Sequence, residues 1–256
     1  MKNIGPGLHL LSFGAGDSAY NQALHRISNM ADKSGFFDSI TAHNRKSMDE
    51  LYPEFNSLHD NFVEKNPLGY GRWVWKPFLI NQRLKELPDD SILLYLDVGC
   101  WINFGPESAR KRMSEYILHT QENDILAFQH DGSWIIEKAF TRVDLVEEID
   151  LSLTDLLSRQ INAGVIFFKV NEKSRGFVKE WLQLCTKNSY AYLMYPPPEL
   201  RFPEYIDHRY DQSVFSGLIK KHGILPFSEE TWFLDWEREG EAFPIWQKRD
   251  RPARSA

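Results

Sequence analysis

The 256-residue chain has two cysteines, Cys100 and Cys185, far apart and without the spacing of a metal knuckle or a redox pair. They read as free thiols of a reducing compartment. An excess of basic charge is also lacking: with 30 Lys and Arg against 36 Asp and Glu, the net charge of −6 supplies no footprint for a nucleic-acid duplex or an anionic membrane. No apolar run approaches the roughly 18 residues that span a bilayer, and "MKNIGPGLHLLSFGAG" is too short an apolar stretch for a secretory core. The expectation is a cytoplasmic protein, peripheral at most to the inner face of a membrane. HExxH, GxSxG, GxGxxG and GxxxxGK[ST] are all missing, which removes the common metalloprotease, hydrolase, dinucleotide and P-loop readings. Repeats and low-complexity linkers are missing too.

What is present is 42% hydrophobic and 14% aromatic residues, enough for one sizeable core. "LHLLSFG" (8–14) reads as a strand, followed by a helix with Asp17 or Ser18 as N-cap and Gly35 as its stop. A second strand is expected around "FFDSITA". Pro77 suits the first turn of a helix running to about Leu87, because its missing N–H has no partner to lose there. "ILLYL" then forms a strand, with a helix near Pro106 to Asn123 and a strand "DILAFQH" after it. "NAGVIFFKV" (162–170) is another buried strand, followed by a helix carrying Phe177, Trp181 and Leu184. Val214, Phe215, Leu218, Ile219 and His222 form one face of a last helix. The final thirty residues look irregular. Alternating strands and helices imply a single α/β domain with a mostly parallel sheet, whose ligands bind beyond the carboxyl ends of the strands.

Four polar segments stand out. Asp97 closes "SILLYL", and an acid there sits at the mouth of that crevice or else caps the following turn. Gly99 permits close backbone approach, and a carboxylate oxygen beside it suits a divalent cation carrying a diphosphate. Asn162, Ala163 and Gly164 open a strand with an amide and two small residues, either a turn or a ligand border. Asp211 and Gln212 open an amphipathic helix, where Asp211 caps the helix or faces a polar substrate. Arg72 and Lys76 flank "WVW" at a helix start, as surface charges or as phosphate partners.

Together "GYGRWVWKPFLINQRLKELPDDSILLYLDVGCWIN", "NAGVIFFKVNEKSRGFVKEWL" and "HRYDQSVFSGLIKKHGI" resemble a bacterial polysaccharide-type glycosyltransferase of the GT-A fold. The order of the segments is the stronger signal, and the resemblance covers about residues 8–225. It implies a nucleotide-sugar donor, UDP-linked, and a glycan or other hydroxyl acceptor, with residues 8–130 as the nucleotide-binding part and 131–256 as the acceptor part and tail. It implies that Asp97 faces a manganese or magnesium ion within a DxD-like turn Asp97-Val98-Gly99. Ser12, Phe13 and Gly14 then line the nucleotide site, and Lys76 and Arg72 meet the nucleotide or its phosphates. Asn162, Ala163 and Gly164 border the sugar, and Asp211, Gln212 and His208 hold hydroxyls or assist the chemistry. The second DxD acid is replaced by Gly99, which puts the metal in question and leaves Lys76, Arg72 or the "QKRDR" tail as alternative neutralisers of the diphosphate. The glycogenin-like HxxGxxKPW signature is absent. Two other classes stay open: a glycoside hydrolase using Asp97 and Asp211 as paired carboxylates, and a non-catalytic nucleotide- or glycan-binding module.

Overall fold

The structure is a computed structural model that describes residues 7–16 and 18–249. A five-stranded sheet is built from β1 (Leu8–Gly14), β2 (Ser39–Asn44), β3 (Ile92–Leu96), β5 (Ile125–Gln129) and β6 (Ile161–Lys169), in the order β2-β1-β3-β6-β5. β1 pairs in parallel with β2 and β3, while β6 runs antiparallel to both β3 and β5. Four of the five strands therefore share one direction, and β6 alone opposes them. The reversal brings the start of β6 to the end of β3: Leu96 lies opposite Val165, and the Asp97 amide donates to the Gly164 carbonyl at 2.8 Å. In an all-parallel sheet "NAG" would open its strand at the far edge.

"ILLYL" is apolar throughout because both faces of β3 are covered. Leu93 and Tyr95 join a core layer with α5 (Trp75–Glu86), α10 (Glu172–Tyr190) and α11 (Asp211–Lys221). Ile92, Leu94 and Leu96 meet the opposite layer, where α1 (Ser18–Ser34) and α6 (Glu107–Asn123) pack. Further helices are α2 (Arg45–Leu51), α3 (Pro53–Lys65), α7 (Glu137–Phe140), α8 (Val143–Ile149) and α9 (Leu153–Leu157). Among the described residues no helix is long and apolar enough to cross a membrane.

Several expected boundaries shift for local reasons. α1 starts at Ser18 and stops before Gly35, whose φ of +67° suits a residue without Cβ; Asp17 lies outside the described residues. β2 begins three residues later than "FFDSITA" suggests, because Asp38 turns its carboxylate onto the Leu8 amide at 2.9 Å. Pro77 does occupy the first turn of α5. His222 is not part of the buried face of α11: it is the C-cap, partly exposed and 2.7 Å from Glu180. The tail also holds a strand, since β4 (Trp101–Ile102) pairs with β7 (Ile245–Trp246), returning the chain end to the turn after Asp97.

Between α3 and α5 lies α4 (Gly69–Arg72), a turn of left-handed hand. Gly69, Tyr70, Gly71, Arg72 and Trp73 all have positive φ, from 53° to 79°. Such a run costs about 1–2 kcal/mol for each residue that carries a Cβ, so tertiary contacts must impose it. The Trp75 indole donates to the Gly69 carbonyl at 2.8 Å, and Trp73 stacks on Tyr210 at 5.2 Å. This turn sets the starting point of α5 and hence of Lys76.

Candidate active site

Lys76 is the centre of the site. Its side chain is only 4% exposed, and its ammonium lies 3.0 Å from Asp211 Oδ2, 3.3 Å from Asp97 Oδ1 and 3.1 Å from the Ala163 carbonyl it donates to. The Ala163 contact is a hydrogen bond, and the two carboxylates are held as ion pairs. One buried cation thus joins the end of β3, the start of β6 and the start of α11, the three segments singled out by sequence. Burial by itself lowers the Lys76 pKa, but Asp211 and Asp97 outweigh it and the net shift is upward. Asp211 is equally buried, and burial pushes its carboxyl up to about 6 although Lys76 opposes the rise.

Asp97 differs from Asp211 in exposure: 43% of its side chain is open. The Tyr95 hydroxyl donates to its Oδ1 at 2.7 Å, which the two-residue period of a strand makes possible from the same face. Oδ2 is turned toward Gly164, where an added Cβ would stand 3.0 Å from it, 3.0 Å from Asn162 Oδ1 and 2.8 Å from Gln247 Oε1. Asn162 Oδ1 accepts from the Gly164 amide at 2.6 Å, fixing that turn. Gly99 lies equally close to backbone: a Cβ there would be 3.2 Å from the Arg249 Cα. The glycines at 99 and 164 are thus explained by close approach. The chain end, brought back by β7, crosses this edge, held by the Gln247 amide donating to the Thr231 carbonyl at 2.7 Å.

On the far side of Gln212 stands His130, at the carboxyl end of β5. Its Nε2 accepts from Arg209 Nη1 at 2.9 Å and from Gln212 Nε2 at 3.2 Å, which assigns its proton to Nδ1. Burial first, then Arg209 and Arg249, hold its pKa down to about 3. The Gln212 carboxamide also donates to Gln160 at 3.0 Å and accepts from the Ala163 amide at 3.4 Å.

The remaining sequence candidates are placed as follows. Ser12 is buried and donates to the Leu96 carbonyl at 2.8 Å, and Phe13 packs on Trp75 at 4.2 Å. Gly14 faces Leu24 and Val98. The side chains of Ser12 and Phe13 thus hold the end of β1 to its neighbours and do not line an opening. Val98 is buried and its carbonyl accepts from Arg26 at 3.2 Å. Arg72 donates to the Tyr210 hydroxyl at 3.1 Å and lies over the Tyr195 and Tyr210 rings. His208 is buried, with Nε2 donating to the Tyr192 carbonyl at 2.8 Å and a pKa lowered to about 4 by burial. Neither Asp211 nor His208 is open to an acceptor hydroxyl. Asp97, Asn162, Ala163, Gly164, Gln212 and Lys76 are brought together. Sequence reasoning missed Tyr95, His130 and Arg209; the first two were within reach, one by strand period and the other by its place at a strand's carboxyl end.

The divalent cation implied by the resemblance does not fit this donor set. Among the described residues no group of three His, Cys, Asp or Glu side chains converges to hold one. Asp97 is a single carboxylate with one oxygen already engaged by Tyr95 and Lys76, and His130 accepts from two donors through Nε2.

No family model and no curated protein matches the chain. Solved structures do. A glycosyltransferase involved in the glycosylation of the major capsid of PBCV-1 superposes with a TM-score of 0.52 at 13% identity, over 98% of this chain and 95% of that one. Mouse xyloside xylosyltransferase 1 gives 0.49 at 13% identity, over 95% and 97%. The galactosyltransferase LgtC gives 0.44 at 14% identity, over 88% and 75%. The fold is that of the GT-A glycosyltransferases.

Proposed function

We propose that the chain transfers a hexose from a nucleotide-diphosphate sugar, UDP-linked, to a hydroxyl of a growing glycan, in polysaccharide synthesis at the cytoplasmic side of the cell. The observation that carries this reading is the Lys76 bridge, which draws the DxD-like turn, the small-residue turn and the Asp-Gln helix to the carboxyl edge of a GT-A sheet. In the reaction the bond from the anomeric carbon to the diphosphate oxygen breaks, the acceptor oxygen bonds to that carbon, the acceptor's hydroxyl proton passes to the departing diphosphate or through it to water, and nucleoside diphosphate leaves. Residues 8–130 form the nucleotide-binding part, and 131–256 comprise the acceptor part and the tail. The sugar is bordered by Asp97, Asn162, Ala163, Gly164 and Gln212 and meets the open side of Asp97, because Asp97, Asn162 and Gln247 already fill the space beside Gly164. Lys76 and Asp211 act as positioning residues, holding Asp97 and Ala163 in place. Orientation of donor and acceptor and stabilisation of the leaving diphosphate supply most of the rate.

The glycosidase reading loses its geometry. Paired carboxylates must flank a glycosidic bond, and here one ammonium stands between Asp97 and Asp211. The deciding experiment follows nucleoside diphosphate release from a panel of nucleotide sugars with oligosaccharide acceptors. Turnover that falls by at least about a hundredfold in Asp97→Asn supports the proposal. Cleavage of a polysaccharide without nucleotide, or tight nucleotide binding with no turnover of any donor, overturns it.

A further inference from the structure

On the edge that carries Asp97 stand two arginines, Arg209 and Arg249, with Asp207 and Glu137 acting on Arg209 only from beyond ion-pair distance and Glu229 3.9 Å from His130 Nδ1. Among the described residues neither Arg209 nor Arg249 forms an ion pair, although the chain carries an acidic excess. Arg209 is half-buried, stacked on Phe140 at 4.1 Å, and its Nη1 is donated to the His130 ring. Arg249 lies on the tail that crosses Gly99. Burial first, and the neighbouring Arg249 second, lower the Arg209 pKa to about 10, and both arginines help to keep His130 uncharged. Arg209, whose fork is donated to the Nε2 of a neutral imidazole, and Arg249, whose backbone passes Gly99, stand on one edge without an ion pair, and an anion is the component that would complete it. Their planar forks match phosphate oxygens. The other basic candidates are engaged: Lys76 by two carboxylates and a carbonyl, Arg72 by Tyr210 and its aromatic neighbours.

Resting on the glycosyl-transfer reading of the same edge, we infer that Arg209 and Arg249 clamp the donor diphosphate directly, in place of a protein-held divalent cation. Gly99 fits this arrangement twice over: it removes the second carboxylate that would repel the diphosphate, and its missing side chain admits the backbone of the tail that carries Arg249. The tail is therefore part of the donor site. Its approach is fixed by the Trp101–Trp246 and Ile102–Ile245 pairs of β4 and β7.

The test is calorimetric titration of the full chain with uridine, guanosine, adenosine and cytidine diphosphates, in EDTA and in manganese. At least one nucleoside diphosphate is expected to bind in EDTA, with manganese changing its affinity by less than about threefold. Arg249→Ala, at an exposed position, weakens that binding by about tenfold, and Arg209→Lys weakens it because the fork is lost while the charge stays. Binding that appears only with manganese, or an affinity unchanged in both variants, overturns the clamp and leaves glycosyl transfer standing. No binding of any nucleoside diphosphate in either condition overturns the glycosyl-transfer reading itself.

Discussion

Replacing Lys76 by methionine isolates the interaction on which the site is built. Methionine nearly preserves the length of the stem, so the main loss is the ammonium. Asp97 is then left with Tyr95 and water, since much of its side chain is open. Asp211 is left ionised in an interior where its side chain is 4% exposed. Removing one partner of such a buried pair costs about 3–5 kcal/mol, a large part of a typical domain stability of about 5–15 kcal/mol. Burial already raises the Asp211 pKa to about 6 with Lys76 present, and without it the value rises further. For a group whose folded pKa exceeds its unfolded value, the stabilising contribution is full below the unfolded pKa and disappears as pH rises through the folded one. The variant should therefore lose about 3–5 kcal/mol at about pH 8 but only about 1–2 kcal/mol at about pH 5, where Asp211 is protonated and the remaining loss is the bond to the Ala163 carbonyl and packing. Lys76→Met/Asp211→Asn should regain at least about 2 kcal/mol at the higher pH. Urea unfolding followed by tryptophan fluorescence measures all three. An equal loss at both pH values, or a double variant no more stable than the single one, would refute the reasoning.

Other expectations follow from single positions. Gly164→Ala places a methyl within 3.0 Å of Asp97 Oδ2, Asn162 Oδ1 and Gln247 Oε1, and should abolish nucleotide-sugar turnover in a coupled diphosphate-release assay while the far-UV spectrum is retained. Gly71→Ala combines a φ of +79° with a contact of 2.7 Å to Val63, and thermal melts should show a loss of more than about 1 kcal/mol. Gly176→Ala, in α10 with open space around it, should gain about 0.5–1 kcal/mol in the same melts. Cys100 and Cys185 are buried with thiols pushed well upward by burial, so a disulfide reagent at neutral pH should label neither until denaturant is added.

The legible parts of the fold were those where local and tertiary preferences agree. β1, β3 and β6 are continuous apolar runs, α6 follows Pro106, and α11 carries Val214, Phe215, Leu218 and Ile219 at helical spacing. Strand direction was not legible, because "INAGVIFFK" buries both faces and its side-chain pattern reads alike in either direction. The site nevertheless depends on that reversal, which takes Gly164 to Asp97. The left-handed turn was equally hidden: Gly69 and Gly71 hint at positive φ, but Tyr70, Arg72 and Trp73 adopt it only under contacts made by Tyr210 and the segment itself. Asp97 and Asn162 were found because an acid or amide ending an apolar run is conspicuous. Arg249 was visible only as one charge in a basic tail, since its position depends on the β4–β7 pairing of residues far apart in sequence. The same long-range packing turns Asp211 and His208, plausible bases by residue type, into interior groups.

The placement of the donor is tested most directly by the amide resonances of Gly99 and Gly164 in the isotope-labelled chain, titrated with whichever nucleotide sugar is consumed. Both are expected to shift with saturation, together with the side-chain amide of Gln212, and the Gly99 amide to stay fixed in Gly164→Ala. Shifts confined to the α1 surface around Gln22 and Asn29, with Gly99 and Gly164 unmoved, would contradict the account.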